Sequence, residues 1–174
     1  MGTPREPEKA LLFIATLYSN VEYFYKAREL LIGKFGEILF ESNQLLWNHS
    51  EYYREELGWP IQRRFLCFKL IIDPSIIKDI KLYTNALEER LSIDGKRQIN
   101  LDPGYVTPSK VVLATTKNYA HRIYLGKGIY AEVTLYYRKG SFRAHEFTYR
   151  DYQSPEYREI FKRMRQYLME TASG

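Results

Sequence analysis

From Ala120 to Thr148, apolar and polar residues alternate almost without a break, and glycine-bearing turns interrupt them at Gly126-Lys127-Gly128 and Lys139-Gly140. A period of two belongs to β-strands, so this stretch predicts an antiparallel meander. It constrains the fold strongly, because a one-residue slip in register moves every side chain to the opposite face. A three-residue loop at Gly126-Lys127-Gly128, with Gly128 left-handed in a bulge, sets Leu125 opposite Ile129, Tyr124 opposite Tyr130 and Arg122 opposite Glu132. One face then carries Ile123, Leu125, Ile129, Ala131, Val133 and Leu135. The other carries Arg122, Tyr124, Tyr130, Glu132, Thr134 and Tyr136. A two-residue turn would mix the two sets. The Lys139-Gly140 turn pairs Tyr136 with Arg143 and Thr134 with His145, which adds Arg143, His145 and Phe147 to the polar face.

The rest of the chain reads as an alternation of strands and helices. Ala10 to Leu17 is an apolar run expected to be a buried strand. Ser19, with Glu22 at capping-box spacing, is the expected N-cap of a helix whose stripe includes Val21, Phe24, Leu31 and Phe35, and which Gly33 and Gly36 stop. Ile38-Leu39-Phe40 is a second strand, residues 43–62 are irregular, and Phe65 to Ile72 is a third strand. Asp73-Pro74 supplies a capping carboxylate and a first-turn proline. Behind it Ile76, Ile77, Ile80, Tyr83, Leu87 and Leu91 form a buried stripe. Gln98 to Leu101 is a short fourth strand. The order β-α-β-β-α-β is that of the ferredoxin-like split unit, an α+β fold with two helices on one face of an antiparallel sheet. Thr107-Pro108 precedes either a short helix or another strand. Ser154-Pro155 opens a terminal helix with Tyr157, Ile160, Phe161, Met164, Tyr167 and Leu168 on its apolar side.

At 174 residues and 45% apolar content, residues 1–174 are expected to form one globular domain, with residues 1–8 flexible. No apolar run approaches the roughly 20 residues that a membrane helix needs. The start of the chain has no apolar signal core. The expectation is therefore a cytoplasmic protein with no membrane partner. A net charge of +5 permits an anionic partner and falls short of a dedicated DNA-binding stripe. Cys67, between Leu66 and Phe68, reads as a buried strand thiol; as the single cysteine it excludes an intrachain disulfide and a cysteine zinc site.

No motif names a reaction. Asp102-Pro103-Gly104 reads as turn chemistry, or as a carboxylate at a strand end beside Lys110 or Lys117. Gly126-Lys127-Gly128 lacks the phosphate-loop pattern. His49, His121 and His145 are too scattered to assign a metal site. Thr84-Asn85 and Glu88 lie one turn apart on the second helix and read as capping or solvating it, with a ligand role as the alternative.

Asn100-Leu101-Asp102-Pro103-Gly104-Tyr105, Leu113-Ala114-Thr115-Thr116-Lys117, His121 to Leu125 and Gly128 to Glu132 together resemble an uncharacterised prokaryotic family of small single-domain proteins, classed as a domain of unknown function. The resemblance extends over nearly the whole chain. It implies no catalytic residues. Some relatives carry a GTP-binding label, while the nucleotide-binding loop is absent from this sequence.

Three functions use the same residues. In the first, a polar-aromatic sheet face binds an anionic ligand, a nucleotide or RNA, through Lys117, Arg122, Tyr124, Tyr130 and Arg143. In the second, an enzyme of phosphoryl or phosphodiester chemistry uses Asp102 or Glu132 as base, with His121 or His145 as acid or base. In the third, exposed tyrosines meet a protein partner. The pattern specifies neither a cofactor nor an oligomeric state. A deep pocket with Asp102, Glu132 and His145 converging would favour the enzyme, a flat open basic sheet would favour RNA, and a flat apolar-aromatic patch would favour a protein partner.

Overall fold

The computed structural model describes residues 1–173, with side chains described through residue 171. It is an α+β structure in which nine strands form one antiparallel sheet. In chain order the elements are β1 (Ala10–Tyr18), α1 (Val21–Phe35), β2 (Ile38–Glu41), β3 (Leu45–Trp47), α2 (Arg54–Leu57), β4 (Ile61–Ile72), α3 (Ile77–Arg90), β5 (Ile99–Val106), β6 (Lys110–Thr115), β7 (Arg122–Gly126), β8 (Ile129–Arg138), β9 (Ser141–Arg143) and α4 (Pro155–Ser173). The strand order across the sheet is β2-β4-β1-β5-β6-β8-β7, with β3 on β4 and β9 on β8.

Two apolar layers flank the central strand. Alternate residues of β1 point to opposite faces, as strand geometry requires. Leu12 and Ile14 pack with Phe24 and Leu31 of α1 and with Ile77, Ile80 and Leu87 of α3. Leu11, Phe13 and Ala15 pack with Tyr157, Phe161, Met164 and Leu168 of α4. The sheet is thus covered on one side by α1 and α3 and on the other by α4. Asp73 caps the helical segment after β4 by accepting the Ser75 amide at 2.9 Å, and a single 3₁₀ turn precedes α3. Cys67 is fully buried, and burial raises its thiol to about 12, which leaves it inert.

Several sequence expectations are corrected. The α1 cap is Asn20, which accepts the Glu22 amide, in place of Ser19. The supposedly irregular 43–62 segment holds β3, α2 and the start of β4. Ile76, expected in a buried stripe, is exposed in the 3₁₀ turn.

Asp102-Pro103-Gly104 is not a turn, since β5 runs straight through it. Gly104 is required there for close approach. An added Cβ would lie under 3.0 Å from the Val112 carbonyl oxygen and the Phe13 ring. Pro103 has no amide to donate. It stands where β5 keeps its β1 partner, Ile14, and has none in β6. The β5–β6 ladder covers only Gly104↔Leu113, Tyr105↔Val112 and Val106↔Val111. Beyond it the two strands part, β5 staying with β1 and β6 staying with β8.

In the meander, Arg122 faces Glu132, Ile123 faces Ala131 and Tyr124 faces Tyr130, as the alternation predicts. The loop differs. Gly126 pairs with Ile129, Lys127 and Gly128 form the tip with positive φ, and the irregularity falls at Leu125. A second departure lies at Thr134. Val112 pairs with Val133 while Val111 pairs with Leu135, so Thr134 is an extra residue in β8. Such a bulge reverses the side-chain alternation beyond it. Leu135 therefore joins the α4-side core, and Tyr136 and its partner Arg143 project from the other face. Arg143 does not share a face with Arg122 and Glu132. Burial is also partly inverted: Ile123 and Val133, read as core, are exposed, whereas Glu132 and Thr134 are buried.

Candidate functional site

Where β5 and β6 part, a cavity of about 550 Å³ opens. Its walls come from α3, the free ends of β5 and β6, β8, the segment around Ser50 to Tyr53, and the segment from Tyr149 to Tyr152. That volume lies within the range of small-molecule sites.

The α3 wall is a polar stripe beside the helix's buried apolar one. Lys81, Asn85 and Glu88 recur at helical spacing and all line the cavity. Lys81 and Glu88 are buried. The Lys81 ammonium donates to the Leu101 carbonyl and to Asp102 Oδ1, each at 3.4 Å. Asn100 Nδ2 donates to Asp102 Oδ2 at 2.8 Å, and Arg97 donates to Asn100 Oδ1 at 2.7 Å. Arg97 also pairs with Glu56 at 2.7 Å and with Glu88 at 3.3 Å. Glu88 Oε2 accepts the Leu101 amide at 2.6 Å. Burial is the largest influence on Glu88 and raises its carboxyl to about 7, against the opposing pull of Lys81, the Leu101 amide and Arg97.

The floor is a buried ion pair. Arg63 donates to Asp151 Oδ2 at 2.9 Å and to the Tyr157 hydroxyl at 3.2 Å. Trp47 Nε1 donates to the same Asp151 oxygen at 3.1 Å. Arg63, Glu132 and Tyr152 line the cavity, and each carries a buried polar atom with no partner among the described residues.

Beside Glu132, His121 Nε2 and Arg122 Nε both donate to Oε2, at 2.5 and 3.2 Å. Arg122 further donates to the Lys117 carbonyl and, at 2.7 Å, to the Tyr149 hydroxyl. It thereby holds the Tyr149 wall in place. Lys117 Nζ lies 5.0 Å from the centre of the Tyr52 ring at the rim.

Of the residues singled out from sequence, Asp102, Glu132 and Lys117 meet at this cavity, together with Asn85 and Glu88 of α3. Arg122 and His121 stand behind Glu132. His145 is committed elsewhere, donating from Nε2 to the Val133 carbonyl and accepting the Phe147 amide at Nδ1. The rings of Tyr124 and Tyr130 lie tilted against each other, 5.1 Å between centres, on β7 and β8 and do not line the cavity, and neither does Arg143. Sequence reasoning missed Arg63, Lys81, Arg97 and Asp151. For α3 a signal was present, since Lys81, Thr84, Asn85 and Glu88 form a second stripe beside the apolar one. For Arg63 and Asp151, 88 residues apart, there was none.

Among the described residues, no three His, Cys, Asp or Glu side chains are grouped to hold a metal ion, and no helix is long and apolar enough to cross a membrane. The family described as Domain of unknown function (DUF4416) matches residues 8–167, and the chain belongs to it. No curated protein and no solved structure matches the chain.

Proposed function

We propose that this family member binds a small anionic ligand of mononucleotide size in the cavity between β5 and β6. The observation that carries the reading is the composition of the walls of this one cavity. Rings of Tyr52, Tyr53 and Tyr149 stand with Lys81 and Lys117, and with the hydrogen-bonding side chains of Asn85 and Asp102. Rings offer a stacking surface to a base, and Lys117 at the rim offers a charge to a phosphate. The charged lining is balanced, with Arg63, Lys81, Arg97 and Lys117 against Glu88, Asp102, Glu132 and Asp151. One phosphate suits such a site. A long polyanion would meet as many carboxylates as cations, which weighs against RNA.

A second reading rests on Glu88. A buried carboxyl raised to about 7 in a cavity beside Asp102 and Lys81 has the environment of a general acid or base, so phosphoryl or phosphodiester chemistry on the bound ligand is the alternative.

Thermal-shift and calorimetric titrations with AMP, GMP, CMP and UMP, alongside a single-stranded RNA oligomer, test the proposal. A ligand that binds only the folded chain raises its melting temperature. At least one mononucleotide should do so, and it should be displaced by no RNA of equal phosphate concentration. Failure of all four to bind overturns the reading. Slow turnover of a bound nucleotide, abolished in Glu88→Gln, favours the enzyme.

A further inference from the structure

We propose that Asn85, Lys81 and Asp102 form a subsite for a vicinal diol, so that the cavity distinguishes ribo- from 2′-deoxyribonucleotides. The inference rests on the reading of the cavity as a mononucleotide site and assigns the sugar's place within it. Lys81 and Asn85 are one turn apart on α3 and share the face that lines the cavity. Asp102 reaches the same space from β5, through the gap left where the β6 ladder ends at Gly104.

All three side chains have unused hydrogen-bonding capacity. Asn85 is half-buried and its side-chain amide makes no hydrogen bond among the described residues. An ammonium has three donors, and Lys81 uses two, each in a long 3.4 Å contact. A carboxylate oxygen accepts more than one hydrogen bond, and each oxygen of Asp102 has a single partner, Lys81 or Asn100. Asn100 and Lys81 fix the orientation of the carboxylate and leave its remaining lone pairs toward the cavity side, where its side chain is 31% exposed. The set therefore offers acceptors on Asp102, a donor on Lys81, and both on Asn85. Two neighbouring hydroxyls present two O–H donors and two oxygens that each accept, and that set offers partners for both roles. An acidic side chain accepting a ribose 2′-hydroxyl is an established recognition chemistry on other folds. A site built around a hydroxyl rejects the analogue without it, because its polar groups are left unpaired.

The test is calorimetric titration of AMP, GMP, CMP and UMP, their 2′-deoxy counterparts, ribose 5-phosphate and 2-deoxyribose 5-phosphate. The full-length chain is compared with Asn85→Ala and Asp102→Asn. The expected result is at least tenfold tighter binding of the ribo form, with the ratio falling toward one in both variants. Asn85→Ala removes a side chain with no hydrogen-bond partner among the described residues, so it carries the test if loss of the Lys81 counter-charge unfolds Asp102→Asn. Equal ribo and deoxy affinities in the unaltered chain overturn the subsite and leave the nucleotide reading standing. Discrimination between the two sugar phosphates, with no gain from any base, supports the subsite and removes the base from the proposed ligand. Binding by none of these compounds overturns both.

Discussion

Lys81 and Asp102 meet at 3.4 Å although they belong to opposite sides of the sheet. Lys81 lies on α3, which packs on one face. Asp102 follows Leu101 of that face's core and pairs with Ala15 of the other, so its side chain starts from the α4 side. The contact is possible because β5 and β6 are joined only from Gly104 onward. A continuous ladder would have closed the gap with backbone hydrogen bonds. The cavity is therefore a consequence of where the ladder stops, and the Pro103-Gly104 pair stands at that point.

Gly104→Ala should destabilise the fold. The new Cβ would press on the backbone carbonyl of Val112 and on the fully buried Phe13 ring, and neither can swing aside as a surface side chain would. Overpacking of this kind costs roughly 1–3 kcal/mol, and a backbone obstacle puts it near the upper end. Urea denaturation should show a lower midpoint at unchanged slope. A variant as stable as the original would mean that the two strands separate more easily than their packing implies.

Glu88 makes stability depend on pH in a defined direction. Its carboxyl is raised to about 7 in the folded chain from the ordinary 4.5, chiefly by burial. The folded state then holds the proton more tightly than the unfolded one. This contribution is fully present below pH 4.5 and is lost as pH rises through about 7. The amplitude is on the order of 3 kcal/mol, from 1.36 kcal/mol per unit. Glu88→Gln keeps an acceptor for the Leu101 amide and removes the titration. Denaturation midpoints between pH 4.5 and 8 should fall with pH in the original chain and flatten in the variant; parallel profiles would count against a raised Glu88.

What was legible in the sequence was whatever local periodicity controls. Alternation placed Arg122 across from Glu132, and Asp73-Pro74 marked the approach to α3. Local signals failed where tertiary contacts decide. Asp102-Pro103-Gly104 has turn composition, yet close packing against Phe13 and Val112 explains its glycine. The Thr134 bulge left no trace in the hydrophobic pattern, so the alternation was carried through it and Arg143 was assigned to the wrong face. Burial of Glu132 likewise depends on His121 and Arg122 converging on it, with Tyr149 behind Arg122, whereas the apolar Ile123 lies exposed on the edge strand. The candidate site was half visible, as Asp102, Glu132 and Lys117 lie near one another in sequence. Arg63 and Asp151 became neighbours only through the fold.

The Arg63–Asp151 pair should behave as a buried one. The side chains are 4% and 7% exposed, and Asp151 also serves Trp47. Asp151→Ala strands a guanidinium in the interior and should cost about 3–5 kcal/mol. Replacing both charges together, Arg63→Met with Asp151→Leu, should recover much of that loss, because no lone charge remains to be desolvated. A double-mutant cycle on thermal or chemical unfolding measures the coupling. Additive losses would show that the two groups do not stabilise each other.

The face reversal at Thr134 separates the present reading from one based on an open sheet surface. If the ligand enters the cavity, Lys117→Ala should weaken mononucleotide binding about tenfold, equivalent to 1.4 kcal/mol. Tyr52→Ala should cost roughly 1–3 kcal/mol if the base stacks on its ring. Arg143→Ala should change nothing, since Arg143 projects from the other face and its guanidinium is held by the Arg138 carbonyl at 3.0 Å. Raising the salt concentration should shrink the Lys117 effect and leave the Tyr52 effect nearly intact, because screening acts on the charge and not on stacking. Calorimetric titration of each variant at two ionic strengths checks all four statements. A loss on Arg143→Ala equal to that on Lys117→Ala would return the binding surface to the meander and remove the cavity from the argument.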